Sequence, residues 1–252
     1  MSDTQTLSKT VERIESKAAQ KDEADNVEDR VERAQTTVAR INTELRDLAE
    51  AIEHLQFYRQ ILLEAFDGTE PPIVRRALDD AEAVITKDRR EMVSVLRDGN
   101  PEEFRKQVSE ATEKVKDARQ SVYQRLKDDH WSEWNEKIAS ARELQRILGS
   151  SDTKFDKTIK WTHSIVTQKM QNPDKSAAGI VQEWENAKTQ WENHQDMQGI
   201  SQFQQSHGIS DEAVDEIRTL SQGSTTLAEV DLEILRELKD IPELAKSISL
   251  EI

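Results

Sequence analysis

The side chains best suited to chemistry are basic residues on one predicted helix. Lys154, Lys157 and Lys160 recur at three-residue intervals, so a helix places them on one face. Trp161 lies beside them. Ammonium groups next to an aromatic ring could bind a phosphate backbone or an acidic partner. In a protein with a net charge of -15, packing against acidic helices of the same molecule is the simpler interpretation.

The histidines and carboxylates do not form a catalytic or metal-binding pattern. None of the five histidines follows a glutamate by three residues, as a helical di-iron site requires, and HExxH is absent. The sequence has no cysteine, no GxSxG nucleophile turn and no glycine-rich phosphate loop. It therefore predicts no catalytic residue, no cofactor and no metal, and favours a protein that is not an enzyme.

Composition predicts the elements that must position these side chains. Charged residues make up 34% of the sequence, and there are only 7 Gly and 5 Pro among 252 residues, which favours long helices and an all-α fold. The excess of 50 acidic over 35 basic residues disfavours nucleic acid or anionic lipid as the main ligand. The polar first residues, the lack of a long apolar run and the lack of cysteine lead us to expect a cytoplasmic protein without a membrane span.

An apolar residue recurs every three then four positions between Val27 and Phe66. This 3.5-residue spacing is typical of a coiled coil, because it keeps one narrow seam facing a partner helix. Arg59 is the polar interruption, and pairing about the following turn would bring it close to Asp80. The seam residues are Val27, Val31, Ala34, Val38, Ile41, Leu45, Leu48, Ile52, Leu55, Leu62 and Phe66.

Two short connections divide the next part of the sequence. Asp67-Gly68 and Pro71-Pro72 end the first helix, and a second seam follows from Val74 to Val95. Pro101 then opens a third helix that extends to about Leu148. We expect an elongated antiparallel three-helix coiled coil, in which the first helix extends past the others at its N-terminal end.

A smaller helical subdomain is predicted at the far end of the third helix. The seam slips in phase at 128–130, and all five tryptophans follow this slip. Two more helices, at about 153–171 and 174–197, carry apolar stripes that could cover the rings. Trp161, Trp184 and Trp191 are candidate partner-binding residues if this end is a recognition surface.

The C-terminal residues alternate apolar and polar side chains. Ile248, Leu250 and Ile252 would share one face of an extended strand. The favoured interpretation is that they pack in cis, and the alternative is that they add a β-strand to a sheet of another molecule. They complete the set of candidate partner-binding residues.

These patterns divide the sequence into four regions and favour an assembly function. The regions are a frayed or separately docked helix (1–26), the coiled coil (27–126), the Trp-containing subdomain (127–208), and short helices with an extended tail (209–252). The leading hypothesis is a structural or adaptor protein that binds another protein or a second copy of itself. One alternative is a helical arm of an ATPase or nucleic-acid-processing complex, using the Lys154–Lys160 stripe. A weaker one is a membrane-binding dimer of the BAR type.

Overall fold

The computed structural model describes residues 2–86, 101–148, 153–195 and 198–221, together with residues 234 and 241. Within these ranges every regular element is helical and there is no strand. The all-α class predicted from composition is therefore confirmed. The predicted tail strand at 248–252 lies outside the described residues.

Eight α-helices and three π-helical turns are present in the described residues. The helices are α1 (Ser2–Gln60), α2 (Pro72–Ile85), α3 (Pro101–Arg125), α4 (Ser132–Leu148), α5 (Thr153–Ser164), α6 (Ala177–Glu192), α7 (Ile200–His207) and α8 (Asp211–Ser221). The π turns are Ile61–Ala65 after α1, Leu126–Trp131 between α3 and α4, and Ile165–Lys169 after α5.

The protein divides into two compact units. The first unit comprises Met1–Ile52 and Arg76–Val115, and the second comprises Glu53–Arg75 and Lys116–Ile252. Helices α1, α2 and α3 therefore contribute residues to both units.

Helix α1 is continuous from Ser2 to Gln60, including residues 20–26, where the seam changes phase. No Gly or Pro lies between Ser2 and Gln60, and a change of apolar phase alone does not interrupt backbone hydrogen bonds. The frayed or separately docked segment at 1–26 stays a prediction.

The predicted stop after α1 is confirmed. Asp67 adopts a left-handed conformation with φ of 51°, and the Gly68 N–H donates to the Leu62 carbonyl at 2.8 Å. Arg59 donates from Nε to Glu70 Oε2 at 2.6 Å, whereas the sequence led us to expect it close to Asp80. The turn folds Glu70 back along the helix, and Asp80 instead accepts a hydrogen bond from Lys114 Nζ.

The core of the first unit consists of small or branched apolar side chains and one aromatic ring, that of Phe104. Two interhelical ion pairs border it: Arg105 with Glu44, at 2.7 Å, and Lys114 with Asp80, at 2.6 Å. The buried residues are Ile41, Leu48 and Ala51 from α1, Ala77, Ala81 and Val84 from α2, and Phe104, Val108, Ala111 and Val115 from α3.

The second unit has an aromatic core that the π turns help to shape. A π turn inserts one extra residue into a helix and rotates the side chains that follow. The turn Leu126–Trp131 coincides with the phase slip at 128–130. Trp131 at its end and Trp134 in the next helix are buried. Leu126 at its start is fully buried.

Carbonyl groups freed by the wide turns find side-chain donors. Trp184 Nε1 donates to the Ala65 carbonyl at 2.9 Å, and Gln171 Nε2 donates to the Val166 carbonyl at 3.2 Å. Because a buried carbonyl without a partner is costly, these bonds tie α6 and the loop after α5 to the π turns.

The shorter helices refine the predicted boundaries. Ser176 caps α6 by accepting from the Gly179 N–H at 3.3 Å, so this helix begins later than 174. Ser210 caps α8 by accepting from the Ala213 N–H at 3.2 Å. Helix α7 was not predicted, because it carries one buried large residue, Phe203, in an otherwise polar sequence.

Candidate functional site

The strongest candidate site is an exposed apolar stripe on α1, here called the valine seam and defined as Val27, Val31, Ala34 and Val38. Three of its side chains are exposed to 53%, 50% and 39% for Val27, Val31 and Val38 respectively. Ala34 is also exposed. Large branched side chains at heptad spacing normally lie against another helix, so this exposure is informative.

The same seam becomes covered further along the helix. Ile41 and Leu48 continue its spacing and are 2% and 0% exposed. From residue 23 to 40, by contrast, every side chain is exposed except Thr37, which is half-buried. The boundary between covered and uncovered seam therefore lies between Val38 and Ile41, within the first unit.

Small and polar residues border the valine seam. A shallow groove on α1 is lined by Val31, Ala34, Gln35, Val38, Ala39 and Asn42. Gln35 and Asn42 carry no charge, and Ala34 and Ala39 have short side chains, so another helix could approach the backbone closely here. The composition of this face suits helix–helix packing and offers no group for catalysis.

The tryptophans are placed in the interior of the second unit. Trp184 and Trp191 are 1% and 2% exposed, so neither is available to a partner in this conformation. Trp134 packs edge-on against both of them, with ring centroids 4.7 and 5.5 Å away. Trp131 is buried too, whereas Trp161 is only half-buried.

Phe66 and the π turn Ile61–Ala65 help to enclose this core. The ring of Phe66 lies 5.2 Å from Trp184 and stacks on His130 at 4.7 Å. The sequence pattern assigned the cover of the rings to the helices predicted at about 153–171 and 174–197. The spacing of Leu62 and Phe66 suggested a coiled-coil seam and gave no sign of this role.

The basic stripe on α5 is exposed but engaged with neighbouring groups. Lys160 Nζ bonds to Asp156 Oδ2 at 2.5 Å, one turn away on the same helix. The pKa of His163 is lowered from its ordinary value by burial and, to a smaller degree, by the positive charge of Arg142. Lys154 and Lys157 are exposed. The stripe thus contains one internally neutralised lysine and a histidine whose surroundings disfavour its charge.

A tyrosine of α1 joins the loop after α5 to the aromatic core. Tyr58 donates from its hydroxyl to the Gln171 carbonyl at 3.2 Å and packs edge-on against Tyr123. Burial, followed by the charge of Tyr123, raises the pKa of Tyr58 above its ordinary value. These contacts keep the phenol neutral and point to a structural role.

A polar cleft lies between α4, α7 and α8. Among its lining groups, Gln204 Nε2 donates to Asp211 Oδ1 at 2.7 Å. Gly199 approaches α4 so closely that a Cβ there would overlap the Ser140 hydroxyl. The close approach to α4 accounts for the glycine at position 199. Gln204 and Asp211 satisfy each other's hydrogen bonding, so the cleft gives no sign of a ligand.

In the part of the protein that the structure describes, no group of three or more His, Cys, Asp or Glu could hold a metal ion. Likewise, no helix among the described residues is both long enough and apolar enough to cross a membrane. The candidate residues Ile248, Leu250 and Ile252 lie outside the described residues.

Comparison with models of protein families, with curated proteins and with solved structures finds no match to this protein.

Proposed function

We propose that this protein is a non-enzymatic structural or adaptor protein that assembles through the valine seam of α1. The partner is another helical protein or a second copy of the same molecule. The observation that carries the proposal is the abrupt change along one heptad stripe, from exposed Val31 and Val38 to buried Ile41 and Leu48.

Burial of this seam would be favourable. Full burial of a valine is worth about 1.5–3 kcal/mol, and these valines are roughly half-exposed, so each would contribute on the order of 1 kcal/mol. A helical segment exposed on nearly all sides also gains little stability from its own backbone, since most helical stability in proteins comes from packing. A partner helix would supply that packing.

For the first unit we propose the antiparallel three-helix coiled coil expected from the seams. Two contacts support it: the Glu44–Arg105 pair joins α1 to α3, and the Asp80–Lys114 pair joins α2 to α3. The Trp-containing core stabilises the second unit, and the tail is a further candidate contact. A cysteine-free protein of this charge is consistent with a cytoplasmic location.

The proposal is tested by using the purified protein as bait in an extract of its own host. The variant Val31→Glu places a charge in the valine seam. Thr36→Glu is the matched control, because Thr36 is exposed on the opposite side of the same helix. We expect the wild type and Thr36→Glu to retain the same proteins and Val31→Glu to lose them, since a buried unpaired carboxylate is costly.

Mass spectrometry of the retained proteins then separates a second copy of the bait from other partners. Retention that is equal for Val31→Glu and the wild type, with circular dichroism showing both folded, would contradict the proposed use of the seam.

The alternative that uses the Lys154–Lys160 stripe gains less support. Lys160 already bonds to Asp156, and the pKa of His163 is lowered, so the stripe offers fewer free charges than its sequence suggests. A membrane-binding dimer of the BAR type would need a basic face, whereas the whole protein has a net charge of -15.

A further inference from the structure

We infer that the occupant of the valine seam is a second copy of this protein, paired antiparallel about a two-fold axis that passes between Val31 and Ala34. This inference rests on the proposed function, because it names the partner of the same surface. It makes the protein a symmetric dimer joined through α1.

The spacing of the seam is the same in both directions. Val27, Val31, Ala34 and Val38 are separated by four, three and four residues. A two-fold axis at the centre therefore places Val27 opposite Val38 of a second copy. It also places Val31 opposite Ala34 of that copy. Each layer then combines the two alternating seam positions of a heptad, as antiparallel coiled coils require.

The charge distribution favours this orientation over a parallel one. Residues 21–32 contain six acidic and two basic residues, a net charge of -4, whereas residues 33–44 contain two basic and one acidic, a net charge of +1. A parallel pair would place -4 beside -4 at the spacing of packed helices, about 8–10 Å. The antiparallel pair places -4 beside +1 at both ends. Since the Debye length is about 8 Å at physiological salt, this difference is only partly screened.

The extent of the free seam limits the strength of the dimer. Ile41 is already covered within the first unit, so the contact centres on residues 27–38 of each copy. That is fewer than the three or four heptads typical of a long-lived coiled coil. We therefore expect a reversible, concentration-dependent dimer.

Disulfide trapping tests the orientation directly, because the protein has no cysteine of its own. Val27→Cys and Val38→Cys variants are prepared in the full-length protein, one of them with a size tag, and oxidised separately and as an equal mixture. An antiparallel pair gives the mixed disulfide in the mixture and little product from either variant alone. Asp29→Cys with Thr36→Cys is the matched control. The same axis relates these two positions, but they lie on the exposed opposite side of α1.

Sedimentation of the untagged protein over about a hundred-fold range of concentration supplies the second measurement. We expect a monomer–dimer equilibrium that Val31→Glu shifts at least about ten-fold toward monomer and that Thr36→Glu leaves unchanged. Disulfides formed by each variant alone would indicate a parallel pair and overturn the inference. A monomer at every concentration would do so as well.

The two proposals fail differently. If the protein is a monomer and Val31→Glu still loses the host partners, the proposed function stands and the self-paired dimer is wrong. If Val31→Glu changes neither the self-association nor the retention of host partners, the proposed function and the dimer are both wrong.

Discussion

Trp184 is expected to be among the residues on which the stability of the second unit depends most. Its indole ring is 1% exposed, packs against Trp134 at 4.7 Å and Phe66 at 5.2 Å, and donates its N–H to the Ala65 carbonyl. The Trp184→Phe substitution keeps an aromatic ring in place. It removes the N–H that donates to the Ala65 carbonyl and one of the two fused rings of the indole.

The expected loss has two parts. A buried carbonyl left without a donor costs about 1–3 kcal/mol. The smaller ring also forfeits roughly two CH₂ equivalents of burial, at about 0.8 kcal/mol each. Because the surrounding side chains relax partly into the space, we expect a total loss of about 2–4 kcal/mol in the free energy of unfolding.

Urea denaturation followed by far-ultraviolet circular dichroism measures this loss. The matched control is Trp161→Phe, because Trp161 belongs to the same unit and is only half-buried. We expect the control to lose less than about 1 kcal/mol. Equal losses for the two variants would refute the reasoning, since they would mean that neither the hydrogen bond to Ala65 nor the enclosure of Trp184 contributes specifically.

Three further predictions follow from burial, hydrogen bonding and charge. Leu48 is fully buried, so Leu48→Ala should lower the free energy of unfolding by about 2–5 kcal/mol in urea titrations. Leu45 is only half-buried, so Leu45→Ala should lower it by less. Thr162→Val should raise the melting temperature, because the buried hydroxyl of Thr162 has no hydrogen-bond partner among the described residues. Thr158→Val should not raise it, because the Thr158 hydroxyl donates to the Lys154 carbonyl within α5. Because the pKa of His163 is lowered in the fold, stability present above about pH 6.5 should fall as the pH drops through the folded pKa. His163→Gln should flatten this dependence in denaturation curves measured against pH.

Much of the helical fold could be predicted from sequence, because its signals are local. The stop at Asp67-Gly68 required a left-handed residue and a returning N–H, and both are present. Ser210 caps the following helix through its side chain, as a residue of that type should. The phase slip at 128–130 could also be recognised in the sequence, because a π turn changes the spacing of the apolar residues by one.

The aromatic core was less predictable, because its contacts join residues that are distant in sequence. Phe57, Tyr58 and Ile61 do not fit the seam of α1, yet all three are buried in the second unit. A heptad describes a helix covered along one stripe, and the end of α1 is covered on more than one side. Only the three-dimensional arrangement shows that the Ala65 carbonyl needs the indole of Trp184.

The candidate site was also only partly predictable from the sequence. The heptad pattern predicted that Val31 and Ile41 would both face a partner helix, and it could not say whether that helix belongs to the same molecule. Burial separates them: Ile41 is 2% exposed and Val31 is 50% exposed. The covered part of the stripe lies in the core of the first unit. The uncovered part is the surface through which we propose that the protein assembles.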